Sequence, residues 1–349
     1  MSAWERVAQL PVHIEECELE GLHVTVSSEF ERKSTLIHLR GDGQEGIGED
    51  VTYDARDHEL LQASGPGLPL AGRFTLASFG EHLARHSLFP QPPQREVSVR
   101  YRTWAYESAA LDLALRQAGL PLHAVLEREP LPVRFVVSMR LGEPPSAEPV
   151  QRRLELYPGL RFKLDPTSSW DERLIAELRD TSAVESVDFK SFYTGTIVDQ
   201  PADPVLYRRV VDAFADAWIE DPALTPETEP VLAPHRERFS WDAPIHSIAD
   251  IESLPYPPRM VNIKPSRLGG LRNLLDAYDF CSRRGIGNYG GGQFELGAGR
   301  GHIQYLASLF HPDAPNDVAP SGFNLAGAQP GLPSSPLPPV PADVGFGWG

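Results

Sequence analysis

The chain is 349 residues long, 41% hydrophobic and 23% charged, a balance that suits a soluble globular protein built as one large barrel or a barrel with a smaller unit. A formal net charge of −16 argues against a nucleic-acid partner, because phosphate binding needs a surplus of Lys and Arg. Cys17 and Cys281 are the only cysteines, which excludes a disulfide framework and a thiolate metal cluster. With no signal-like start and no apolar run long enough to cross a bilayer, the expected setting is cytoplasmic and away from membranes.

The first third reads as an α+β unit. Leu22–Val26 and Lys33–Leu39 alternate at period two, as half-buried strands do. Between Gly41 and Gly48 the stretch GDGQEGIG formally contains a G-x-G-x-x-G, but Asp42, Glu45, Glu49 and Asp50 crowd it and no helical pattern opens on it. A hairpin turn is the better reading than a phosphate cradle. Helical periodicity follows over Thr75–His86 and Trp104–Gln117, the second closed by Gly119 and Pro121. His82 and His86 are four apart on the first helix; without a third ligand they read as solvent-facing.

From about Pro132 short apolar runs alternate with helix-like segments. The runs are Val133–Val137, Leu160–Leu164, Val184–Phe189, Ala217–Glu220, Phe239–Asp242, Met260–Lys264 and Gly285–Tyr289. Glu172–Leu178, Leu206–Ala217 and Leu271–Cys281 fill gaps between them. Strands separated by helices pair in parallel, and seven such units with a poorly marked eighth favour a closed barrel. The Pro/Gly-rich end, Gln329–Gly349, is expected to run over the surface without regular structure. His246 and His311 read as surface or capping residues, and the tryptophans as packing.

Five of the runs end in a charged group: Lys163, Asp188, Glu220, Asp242 and Lys264. In a (β/α) barrel the C-terminal strand ends meet at one mouth, so these groups would converge. Three carboxylates brought together repel one another unless a hard dication holds them, and few neutral oxygen ligands stand nearby to build a calcium cage. Mg²⁺ with water or substrate completing its coordination fits best.

At these positions the sequence resembles the enolase superfamily, in its muconate-lactonizing-enzyme-like branch. Arg161-Phe162-Lys163 is similar to a second-strand K-x-K, Val187-Asp188-Phe189-Lys190 to V-D-x-N, and Ile219-Glu220-Asp221-Pro222 to I-E-x-P. Trp241-Asp242 stands at the fifth-strand ligand, and Ile263-Lys264 through Gly269-Gly270 resembles I-K-x-x-x-x-G-G. Glu295-Leu296-Gly297 resembles a later E-x-G, and Glu107–Asp112 the helix that closes an N-terminal capping domain. The resemblance runs from about Leu22 to about Pro320.

It implies a modified TIM barrel of the β7α type with an N-terminal α+β capping domain: residues 1–128 as cap, 129–320 as barrel, and 321–349 as a tail packing on the cap. It implies that Asp188, Glu220 and Asp242 hold Mg²⁺ (Mn²⁺ as a substitute), and that Lys163 and Lys264 flank the α-carbon of a small-molecule carboxylate as acid/base groups. Arg161, Lys190, Glu295 and Arg267 are expected in support, with Arg161 and Lys163 on one strand face. A homo-oligomer is expected. A proton next to a carboxylate is very weakly acidic, so fixed positive charge must meet the ene-diolate as it forms.

Two lysines favour racemase, epimerase or cycloisomerase chemistry, with a syn-dehydratase of the o-succinylbenzoate synthase kind as the alternative. Arg161 replaces a lysine and Lys190 an asparagine of the pattern. Lys190 brings a further cation beside the metal site, and the polar loop Ser191–Pro204, with Tyr193, follows it. The paired D-x-D of dipeptide epimerases has only Asn316-Asp317 as a counterpart. Two readings of other kinds are a metal-free aldolase with a Schiff base on Lys264, and a degenerate barrel kept for binding.

Overall fold

The computed structural model describes residues 1–27, 30–196, 198–325 and 327–349. Ile197, in the polar loop expected after the third barrel strand, lies outside the described residues, as does Ala326 in the C-terminal segment. After a short helix (Ala3–Val7), the N-terminal unit runs through strand β1 (Pro11–Ile14) into an antiparallel sheet of β2 (Glu16–Ser27), β3 (Phe30–Gly41) and β4 (Gln44–Asp50). Strand β5 (Gly72–Thr75) then pairs back on β1. Gly41 faces Gln44 across a two-residue turn in which Asp42 and Gly43 both adopt left-handed backbone (φ 49° and 72°), the geometry that tight hairpins require.

The glycine-rich stretch is therefore a hairpin, and its later glycines serve packing. A Cβ on Gly46 would stand 2.2 Å from the Leu113 backbone nitrogen, and one on Gly48 would stand 2.0 Å from the Ala105 carbonyl. Only bare backbone lets the helix Ser98–Ala118 lie this close to β4. That helix begins six residues before the expected Trp104. Its first turns hide Arg102 in the core, where the guanidinium meets Asp50 at 2.7 Å and the carbonyls of Leu88 and Asp57, so a buried cation masks the apolar period.

The second unit is a curled sheet of seven parallel strands, in spatial order β12-β11-β10-β9-β8-β7-β6. In chain order these are β6 (Val137–Met139), β7 (Phe162–Leu164), β8 (Val184–Asp188), β9 (Trp218–Glu220), β10 (Phe239–Trp241), β11 (Met260–Ile263) and β12 (Gly287–Gly290). The gap between β12 and β6 is closed by residues 316 and 317, which bridge in parallel to Phe135 on one side and Gly291 on the other. This is a TIM-type barrel carrying an N-terminal cap.

Side chains from the small unit reach the barrel mouth. Arg32 binds the carbonyls of Val51 and Thr52 in its own unit and those of Gln293 and Phe294 in the loop after β12. Glu49 accepts the backbone N–H groups of Leu296, Gly297 and Gly299. The C-terminal segment corrects one expectation: among the described residues it carries no helix or strand beyond Asn324, yet it does not stay on the surface. Leu337 pairs with Val133 through two backbone bonds, and Phe346 is fully buried, stacked on His302 at 4.1 Å and edge-on to Trp104. Among the described residues, no helix is long and apolar enough to cross a membrane.

Candidate active site

Asp188 is the last residue of β8, Glu220 the last of β9, and Asp242 and Lys264 follow the last residues of β10 and β11 directly. Side chains alternate along a strand, so inward positions one strand apart converge at the C-terminal edge. Asp188, Glu220 and Asp242 are wholly buried, and one oxygen of each lies within 4.8 Å of the others. Three of the five groups named for the mouth thus form a single oxygen cluster.

Four cations surround the cluster. Lys163 donates to Glu220, with its ammonium 3.1 Å from Asp188 and 3.7 Å from Asp317. Lys190 reaches the same Asp188 oxygen at 2.5 Å and Asp165 at 3.7 Å. Lys264 lies 2.9 Å from Asp242 Oδ2, and Arg267 donates to Oδ1 of the same carboxylate at 2.7 Å and to its backbone carbonyl. Asp242 is held further by Asp221, whose carboxylate accepts the N–H groups of Asp242 (2.9 Å) and Ala243 (2.8 Å). The Tyr289 hydroxyl donates to the second oxygen of Glu220 at 2.6 Å.

The crowding shifts these groups in opposite directions. Burial raises Glu220 well above the ordinary carboxylate range; Lys163 opposes this, while Asp188 and Asp242 add to it. Burial also acts on Asp188, but Lys190 and Lys163 outweigh it and hold the group low. Arg267 and Lys264 do the same for Asp242. Among the lysines, Lys163 is raised because Glu220 and Asp188 overcome its burial, and Lys190 is raised because Asp165 and Asp188 do. Lys264 is lowered: burial, with Arg267 and Lys163 adding to it, exceeds the pull of Asp242. A lowered lysine is the kind that can accept a proton.

Lys190 and Arg267 are brought to the site as expected residues of uncertain role, and two expectations need correction. Arg161 is not brought there. It precedes β7, at the N-terminal end of the strand and away from the mouth, and turns to Glu185 (2.8 Å) and the Ser182 carbonyl. The inward pair two residues apart is instead Lys163 and Asp165, so the strand presents Lys-x-Asp to the barrel interior. His311 is buried, hydrogen-bonded to Asn316 at 2.7 Å and near the Tyr278 hydroxyl, because it helps seat the stretch that closes the barrel.

Glu295 binds the Gln293 N–H (2.6 Å) and faces Arg300 (3.2 Å), which fixes the loop after β12. Asn316 is structural, donating to the carbonyls of Arg134, His311 and Ala314, while Asp317 turns to Lys163. Asp165, Asp221 and Tyr289 carry site contacts that the strand-end pattern did not assign. Asp165 was legible as the inward position after Lys163. Asp221 was not: strand parity points it outward, and only its left-handed backbone (φ 46°) turns it under Asp242.

Comparisons with known proteins agree on the class: the chain is an enolase-superfamily protein of the muconate-lactonizing-enzyme-like branch. More narrowly, it belongs to the family described as Domain of unknown function (DUF8230), whose N-terminal domain matches residues 5–125 and whose C-terminal domain matches residues 129–325. It is 27% identical to an N-succinylamino acid racemase of Thermus thermophilus, across 96% of this chain and 94% of that one. It is also 27% identical to an o-succinylbenzoate synthase of Geobacillus stearothermophilus, across 87% and 82%. It shares its fold with a dipeptide epimerase from Methylococcus capsulatus complexed with Mg ion (TM-score 0.69, 20% identity, 90% and 92% of the two chains).

Proposed function

We propose that the protein is an Mg²⁺-dependent enzyme that removes the proton α to the carboxylate of a small acyl-substituted acid, with Lys264 as the base. The observation that carries this reading is the buried triad Asp188, Glu220 and Asp242, with the lysine of lowered basicity against its edge. The donor set fits a hard dication: three buried carboxylates, with no sulfur or imidazole among them. When bound, the ion supplies positive charge to the substrate carboxylate as the α-proton leaves.

The chain's own residues do the rest. Arg267 and Asp221 fix Asp242, and through it the position of the Lys264 ammonium. Lys264 caps the short helix Pro265–Leu268, which aims its Nζ inward from a rigid element. Arg32 and Glu49 of the cap hold the loop carrying Gln293 and Glu295, and so shape the mouth against water. The relatives act, by their names, on N-succinylamino acids and on the formation of o-succinylbenzoate, so acids carrying a succinyl-type group are the class to test first. Racemisation is the leading reaction. The synthase relative keeps a dehydration in view, since it needs a proton acceptor on only one face.

The test is α-deuterium incorporation from D₂O into a panel of N-acyl and N-succinyl amino acids, followed by NMR with Mg²⁺ and with EDTA. Exchange that depends on Mg²⁺ and falls by 10² to 10⁴ in Lys264→Ala is expected. Exchange that is unchanged in EDTA, or unchanged in Lys264→Ala, overturns the proposal. Borohydride trapping of substrate on Lys264 would point to the Schiff-base reading instead.

A further inference from the structure

We propose that His13, Glu15 and Asp42 form a second metal site, on the outer face of the small unit, that takes Zn²⁺ or a neighbouring borderline dication rather than Mg²⁺. The inference does not depend on the proton-abstraction reading or on the barrel carboxylates.

Two segments supply the donors. Val12 and Ile14 of β1 are each 1% exposed and pack into the core, which leaves His13 and Glu15, two residues apart, on the outward face. Asp42 opens the turn between β3 and β4, in left-handed backbone (φ 49°). His13 Nδ1 meets Asp42 Oδ1 at 2.8 Å, and one donor atom from each of the three residues lies within 4.8 Å of the others.

A single side chain fixes both segments. Gln117, in the last turn of the helix Ser98–Ala118, accepts the His13 N–H at 2.9 Å. Its amide donates in return to the His13 carbonyl (2.7 Å) and to the carbonyl of Gly41 (3.0 Å), the residue before Asp42. This approach requires glycine, because a Cβ on Gly41 would stand 1.9 Å from the His13 carbonyl oxygen. Glu15 is held in turn by its N–H on the Arg40 carbonyl at 2.7 Å. The donors therefore stand on backbone that is already locked, so an ion need not order its ligands first.

The donor chemistry selects the ion. One imidazole with two carboxylates suits Zn²⁺, Co²⁺ or Ni²⁺, whereas Mg²⁺ favours oxygen donors alone. His13 is half-buried and both carboxylates are exposed, so water can complete a tetrahedral set. His13 would bind through Nδ1 with its proton on Nε2, and the ion would replace the hydrogen now shared with Asp42 Oδ1. Nearby cations leave negative charge for it to meet. Arg40 is engaged by Glu18 (2.6 Å) and Glu45 (2.8 Å), and the exposed Arg73, opposite His13 on β5, offsets one of the two carboxylates. A bound ion would staple β1 to the hairpin turn that Gln117 already holds beside it.

The experiment titrates the untagged full chain with Zn²⁺ in saturating Mg²⁺, by calorimetry, and follows thermal melting in the same samples. Wild type is compared with His13→Ala, Glu15→Gln, Asp42→Asn and Asp242→Asn. Asparagine accepts left-handed backbone, so Asp42→Asn keeps the turn. Wild type and Asp242→Asn should both bind Zn²⁺ and melt at a higher temperature with it. In the other three variants the affinity should fall by about 10-fold or more, and the melting gain should shrink with it, at unchanged circular dichroism. Co²⁺ in place of Zn²⁺ should give a visible absorption band that His13→Ala removes. No Zn²⁺ binding by the wild type, or wild-type affinity in His13→Ala, Glu15→Gln or Asp42→Asn, overturns the assignment. Binding that disappears in Asp242→Asn overturns it too, because the ion would then sit at the barrel mouth.

Discussion

Glu107 shows how a single side chain ties the two units together. It sits in the helix Ser98–Ala118 of the small unit, yet its carboxylate accepts the Leu271 N–H at 2.6 Å, at the start of the barrel helix Leu271–Arg284. A Cβ on Gly270 would lie 3.3 Å from that carboxylate, and Gly269 (φ 88°) turns against Arg100. The paired glycines after Lys264 thus serve the seam between the two units, while the lysine serves the chemistry. Burial pushes Glu107 up to about 7 from an ordinary 4.5, with the Leu271 bond opposing. The folded chain holds that proton more tightly than the unfolded one, so the stabilisation is complete below pH 4.5 and is lost as pH rises through about 7. Thermal melts of Glu107→Gln should match the wild type near pH 4.5 and exceed it at pH 8, by at most about 3 kcal/mol; a parallel pH dependence in both proteins would count against this. Gly291 gives a second test. A Cβ there would stand 2.7 Å from Lys264 Cε and 2.8 Å from Asn262 Nδ2, so Gly291→Ala should displace the base and slow α-exchange by about 10²-fold while leaving circular dichroism unchanged. Strand-end charges of this kind were legible in the sequence because each closes an apolar run. Asp221 was hidden because a backbone turn, not strand parity, sets its direction.

Among the elements, β4 and the helix Ser98–Ala118 form a close contact in the small unit, and the sequence states its condition as Gly46 and Gly48. The added methyl of Gly48→Ala would meet the Ala105 carbonyl, which is backbone and cannot rotate away. Overpacking of this sort should cost about 1–3 kcal/mol or more, read as a lower urea midpoint at an unchanged slope. The barrel strands were readable because even three-residue strands such as Trp218–Glu220 and Phe239–Trp241 stand out as apolar runs between helices. The short pair β1 and β5 was not, since Pro11–Ile14 and Gly72–Thr75 are too brief to show a period and are specified by each other across about sixty residues. The register shift between β7 and β8 lies equally beyond local pattern. It arises where Phe162 pairs with Val184 but Lys163 pairs with Ser186, which leaves Glu185 as the extra residue on β8, where it meets Arg161.

At the scale of the whole molecule, the attachments that join cap to barrel include Arg32 and Glu49 at the mouth, Glu107 at the seam, and the C-terminal segment. Phe346 packs between Trp104 of the cap helix and His302 and Tyr305 of the barrel helix Ala298–Phe310, and its N–H binds Asp112 at 2.7 Å. The barrel then holds a cluster of negative charge at its centre that the four surrounding cations neutralise only at the cost of binding them to it. An ion taken up by the folded chain alone adds RT ln(1 + [L]/Kd) to stability, about 2.7 kcal/mol when free Mg²⁺ stands at 100 times its Kd. Millimolar Mg²⁺ should therefore raise the melting temperature by a few degrees, EDTA should reverse the rise, and Asp242→Asn should abolish the response. The unfolded chain presents no assembled triad, so ionic strength alone should not reproduce the shift. A wild-type melt indifferent to Mg²⁺ and EDTA across that range would mean that Lys163 and Lys190 already satisfy the carboxylates, and that the barrel centre is a salt-bridged core rather than a metal centre.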